Sequence, residues 1–163
     1  MKATGVTHVS ITAPDLEASV RFYTDVFGLE RLPAPTFAGQ AVVWLRLGDQ
    51  QLHLMQRNGA AQFHHFGLDV DDFEAAYRKV RELEIQDDTT FVSGIVELPG
   101  GEAQMYLRDP AGNLVEVNWP DASSLDRSVV GDLVRLVDMV PQNDEGMAAR
   151  LYTGTARQPL GER

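Results

Sequence analysis

Four side chains in this sequence, His8, His53, His65 and Glu116, are competent to bind a divalent cation, yet no two of them are neighbours in the chain. The chain contains no cysteine, which excludes disulfides, thiolate nucleophiles and Cys-based zinc or iron–sulfur centres. Any metal must therefore rest on imidazole and carboxylate. Such donors suit iron, nickel, zinc, manganese or cobalt, and two His with one carboxylate leave positions open for substrate or oxygen. Taken singly, a His in a strand is more often a hydrogen-bonded core or edge residue than a ligand. Glu116 stands among Leu114, Val115, Val117 and Trp119, where an inward carboxylate requires a cation or a dense set of hydrogen bonds and an outward one merely faces solvent.

What joins these residues is an internal repeat. Sliding the chain by 57 residues lays His65 on His8, Asp72 on Asp15, Glu74 on Glu17, Ala75 on Ala18 and Arg78 on Arg21. The first copy reads as a β-branched strand over residues 6–12, then the Ala13-Pro14-Asp15 turn, then a helix through Leu16, Val20, Tyr23 and Phe27 that Gly28 closes. A short strand over 29–32 and two strands over 41–47 and 51–56, joined at Gly48-Asp49, follow. In the second copy a strand over 66–70 precedes a helix reaching about Glu84, with Asp71 and Glu74 as a capping pair. Strands over 91–98, 102–107 and 113–119 complete it. His8 and His65 thus open the two copies, while His53 and Glu116 lie in their last strands, two equivalent pairs converging on one metal. His64, beside His65, points to the other face by pleat alternation and is an expected non-ligand.

A βαβββ unit cannot cover both faces of its own sheet, so the expected class is α+β. Two βαβββ modules, about 5–57 and 63–119, form one curled mixed sheet around a groove. Residues 1–120 make this domain. Residues 121–163 make a C-terminal helical extension and tail, with one amphipathic helix over 128–140 through Val129, Leu133, Leu136 and Val137. At 163 residues and 44% hydrophobic the chain can bury a sizeable core, and its net charge of −10 repels phosphate backbones and anionic lipid, leaving no nucleic acid and no membrane among the expected partners. No window approaches the roughly 18 apolar residues of a membrane span, and the expected location is cytoplasmic.

The runs Thr7-His8-Val9-Ser10-Ile11, Phe22-Tyr23-Thr24-Asp25-Val26-Phe27-Gly28-Leu29, His65-Phe66-Gly67-Leu68-Asp69-Val70 and Leu107-Arg108-Asp109-Pro110-Ala111-Gly112-Asn113-Leu114-Val115-Glu116 carry a family resemblance. Over about residues 5 to 119 the chain resembles the vicinal oxygen chelate superfamily, which includes glyoxalase I, fosfomycin-resistance enzymes, extradiol dioxygenases and bleomycin-resistance proteins. The resemblance implies one divalent metal ion on His8, His65 and Glu116, with His53 as fourth ligand in glyoxalase-like members or as an acid–base beside the metal in dioxygenases. Bleomycin-binding members lack these ligands, so their presence implies an enzyme.

Tyr106 fits the dioxygenase signature, but the His which that signature carries upstream is replaced by Val96, Glu97 and Leu98. Where glyoxalase I has an Arg for glutathione, this chain has Thr12. The reading is a glyoxalase-like lyase or isomerase acting on a small molecule that chelates through vicinal oxygens; an iron(II) dioxygenase and a metal-free drug-binding protein are the alternatives. Glu116, His53 and Tyr106 are the expected catalytic groups and Trp44, Met55 and Trp119 the expected substrate contacts. A homodimer is expected, because the family often completes its groove between two chains.

Overall fold

In the first module, apolar residues alternate along each strand, so one face of the sheet is supplied with Val43, Leu45, Leu52 and Leu54, each at most 2% exposed. The computed structural model describes residues 8–34, 41–60, 64–91 and 93–150. Strand β1 (His8–Thr12) leads into α1 (Leu16–Phe27), whose first turn is capped by Asp15 accepting from the Ala18 amide at 2.9 Å. Gly28 ends the helix at φ 65, where a residue with a Cβ would be strained. Then come β2 (Arg31–Leu32), β3 (Val42–Leu47) and β4 (Gln50–Met55). The sheet order is β1-β4-β3-β2, with β1 parallel to β4, and α1, whose Val20 and Tyr23 are buried, packs on β3 and β4.

The second module repeats the plan with β5 (His65–Asp69), α2 (Phe73–Glu82), β6 (Ile95–Glu97), β7 (Ala103–Arg108) and β8 (Leu114–Trp119). Its order, β5-β8-β7-β6, again sets first strand beside last, so the duplicated βαβββ topology is the observed fold. The described strands hydrogen-bond as two sheets, of four and five strands. By their internal contacts the residues form two compact units, Met1–Phe66 with Arg108–Leu114, and Gly67–Leu107 with Val115–Arg163.

Three local expectations give way to tertiary contacts. The cap of α2 is Asp72, which accepts from the Ala75 amide at 2.8 Å, and Glu74 instead accepts from the Asp126 amide at 2.9 Å. Of the strand expected over 91–98, Ile95–Glu97 forms β6, and Val92 lies outside the described residues. The single helix expected over 128–140 does not form. Asp126 binds the Ser128 amide and hydroxyl in a turn, Arg127 donates to the Leu133 carbonyl, and Val134–Arg135 becomes β9, a parallel partner for the edge of β6. Gly131 weakens a helix there, and an open strand edge gives the β-branched Val134 backbone partners that helical periodicity does not foresee. Helical pieces remain as α3 (Leu136–Met139) and α4 (Asp144–Ala148). Residues 151–163 of the expected tail lie outside the described residues, as do Val6 and Thr7 of the first run. No described helix is long and apolar enough to cross a membrane.

Candidate active site

Pleat alternation puts His8, Ser10 and Thr12 of β1 on the face of the first sheet that does not carry the core, together with Gln51, His53 and Met55 of β4 and Trp44 of β3. The rings on this face stack in a row. Trp44 lies 4.4 Å from His53 at 5°, and His53 lies 4.3 Å from His8 at 13°. His53 Nε2 stands 2.8 Å from Gln51 Oε1, so with the amide oxygen accepting, the proton is on Nε2 and the lone pair on Nδ1. Partial burial, and then the charge of His8, hold the His53 pKa below its ordinary value, which keeps that lone pair available at neutral pH.

The corresponding face of β8 and β7 carries Glu116, Asn118, Gln104 and Tyr106, at 5%, 6%, 9% and 7% exposure. Tyr106 donates to Gln104 Oε1 at 3.2 Å and also hydrogen-bonds to Glu116. Burial first, and the Glu116 charge and hydrogen bond next, raise the Tyr106 pKa well above that of a free phenol. The hydroxyl therefore remains a donor at any physiological pH. Trp119, an expected substrate contact, lies on the opposite face of β8 by alternation, tilted against Phe73 at 6.5 Å with its indole donating to Ser124 Oγ at 2.9 Å. Trp44 and Met55 do share the His53 face.

His65 is exposed at the start of β5 and lines an open cavity of about 240 Å³ with Val9, Ser10, Thr12, His64 and Phe66, among others. Alternation does not part His64 from His65 here, because His64 precedes the first residue of the strand. One wall of this cavity is Asn113, whose side-chain amide donates to the Thr12 carbonyl at 2.7 Å and to Asp109 Oδ2 at 2.8 Å. Asp109 also accepts from Tyr23 at 3.0 Å and from the backbone amides of Ala111 and Asn113 at 2.9 and 2.7 Å. The Asp109-Pro110-Ala111-Gly112-Asn113 motif is thus a buried polar clamp between a turn, a helix and β1.

Imidazole and buried carboxylate are donors of a kind that suits a divalent cation. The structure brings His8 and His53 side by side, and Glu116 to Tyr106; among the described residues no three His, Asp or Glu side chains lie close enough to hold one ion. Gln51, Gln104 and Asn118 escaped sequence reasoning. The available signal was spacing, since Gln51 and Asn118 each lie two residues from a candidate ligand on its strand and so on its face.

Residues 5–117 match the family model of the glyoxalase/bleomycin resistance protein/dioxygenase superfamily. The chain belongs to that superfamily. It is 30% identical over 129 residues to the human mitochondrial methylmalonyl-CoA epimerase, spanning 68% of this chain and 70% of that protein. It is 32% identical over 95 residues to the mouse epimerase, spanning 48% of this chain and only 53% of that protein. Among solved structures, the lactoylglutathione lyase of Agrobacterium tumefaciens is 30% identical with a TM-score of 0.56, the match covering 72% of this chain and 95% of that one.

Proposed function

We propose that this superfamily member is a divalent-metal-dependent isomerase or lyase that moves a proton on carbon beside a carbonyl, in a small substrate held through two neighbouring oxygens. The observation that carries the reading is the buried Glu116, hydrogen-bonded to a Tyr106 that stays protonated. Relatives named as an epimerase and a lyase support non-oxidative chemistry. The metal would be held by His8, His65 and Glu116, with His53 as fourth ligand, and when bound would act as a Lewis acid that makes the neighbouring C–H more acidic.

The side chains divide the remaining work. Tyr106 orients the Glu116 carboxylate through their hydrogen bond. Glu116 would take and return the substrate proton. His53, neutral at physiological pH, serves as ligand or as a second proton acceptor through its lone pair. Trp44 and Met55 supply an apolar wall, and a homodimer completes the groove.

Metal analysis of purified protein tests the reading. About one divalent ion per chain is expected, lost in His65→Ala and Glu116→Ala and retained in His64→Ala. Absence of metal from the wild type after loading would overturn it. In heavy water, deuterium should enter C2 of methylmalonyl-CoA or the analogous carbon of another vicinal-oxygen substrate. Oxygen uptake with a catechol on the iron(II) form would instead establish the ring-cleaving alternative. Metal titration of His53→Ala assigns that residue, with weakened binding expected of a ligand. Light scattering at micromolar concentration checks the dimer.

A further inference from the structure

Two residues beyond Glu116 on β8, and on the same face, Asn118 is 6% exposed, and its Oδ1 is buried with no hydrogen-bond partner among the described residues. A buried amide oxygen with nothing to accept from destabilises a fold, whereas a leucine of similar shape at the same place would not. Polar residues retained against stability in this way concentrate where ligands bind. The neighbouring acceptor on this face, Gln104 Oε1, is already engaged by the Tyr106 hydroxyl at 3.2 Å.

The strand beside Asn118 is also pared to backbone at this point. A Cβ at Gly67 would lie 2.5 Å from Asn118 Nδ2 and 3.2 Å from Glu116 Oε1, so both side chains stand against the same bare stretch of β5. In the first module the residue two places beyond His53 is Met55, which offers no such acceptor. The duplicated position is therefore apolar in one copy and an amide in the other.

We infer that Asn118 is a substrate-positioning residue whose Oδ1 accepts a hydrogen bond from a hydroxyl or N–H carried by the substrate next to its chelating oxygens. The inference rests on the reading of the Glu116 face as the reaction site. It narrows the substrate class to molecules with a donor at that point, such as hydroxyacyl, enediol or hydroxamate-like groups, and disfavours those with an alkyl or ether group there.

The test compares wild type with Asn118→Leu in two measurements. In thermal unfolding of the metal-free proteins, the variant should melt at the same temperature or about 2–4 °C higher. A structural amide would lose several degrees on this change, and such a loss overturns the proposal. Both proteins are then loaded with cobalt(II), followed by visible absorption, and titrated with acetohydroxamate, a vicinal-oxygen chelator bearing an N–H, and with N-methylacetohydroxamate, which lacks it. Wild type should prefer the N–H compound by roughly tenfold, the value of one good hydrogen bond, and the variant should show no preference while taking up cobalt equally well. Equal affinity of the wild type for the two chelators overturns the proposal. Should the wild type take up no cobalt, the metal dependence falls instead, and the unfolding measurement still decides whether Asn118 is a structural amide.

Discussion

The two modules share strand order and an opening histidine, but their site-bearing faces are built differently. On β4 only the core side is buried, and the other side is a half-exposed row of rings, Trp44, His53 and His8. On β8 every residue from Leu114 to Asn118 is buried, so Glu116 and Asn118 sit in low dielectric beside Tyr106 and Gln104. Duplication supplies equivalent positions; divergence assigns them different chemistry. The first module offers polarisable surface and a neutral imidazole, the second a desolvated carboxylate whose interactions are strengthened by exclusion of water.

The largest expected difference between the modules lies in the turns before the final strands. The first module uses Gly48 at φ 60 with open space around it, whereas the second uses the Asp109 clamp. Asp109→Ala should cost about 3 kcal/mol or more by leaving several buried donors unmet, against about 1 kcal/mol for Gly48→Ala, both read by urea unfolding. Asp109 further gives a pH signature, because burial raises its pKa above that of an ordinary aspartate despite four hydrogen bonds that oppose the rise. The folded state then holds the proton more tightly than the unfolded one, so this group's contribution declines as pH rises from the ordinary aspartate pKa through the raised folded pKa. Asp109→Asn should flatten that part of the stability profile, and an unchanged slope would refute the burial argument.

Next in size is the edge of the second sheet. Val134→Pro removes the pairing of β9 with β6 and should cost about 1–2 kcal/mol while promoting self-association, measured by unfolding and light scattering. The four-stranded sheet ends at the two-residue β2.

Trp44→Ala should cost about 1 kcal/mol, since the ring is only half-buried. Its stronger effect is on His53, whose pKa should move up toward the ordinary value in a proton NMR titration once the covering ring is gone. A His53 pKa unmoved by this change would show that His8, not burial, sets it. The smallest effect belongs to exposed ion pairs such as Arg46 with Glu30 at 3.4 Å, where Arg46→Ala should shift stability by less than about 0.5 kcal/mol, and less again in high salt.

The βαβββ repeat, both long helices, the Asp15 and Gly28 boundaries of α1, and the polar residues His53 and Glu116 on final strands were legible from sequence, because hydrophobic periodicity, capping and turn chemistry act between residues close along the chain. The β9 strand was not legible, since its partner edge lies far upstream and outweighed the helical pattern of 128–140. Nor was the packing of the Trp119 ring against Phe73, a neighbour supplied by α2.

Residue type alone determined that any metal here must rest on imidazole and carboxylate. Only the tertiary structure decided that His53 is stacked and neutral, that Tyr106 serves Glu116, and that Asn118 holds a buried acceptor. The physical reason is that pKa, hydrogen-bond satisfaction and desolvation are properties of the neighbours that folding brings from elsewhere in the chain.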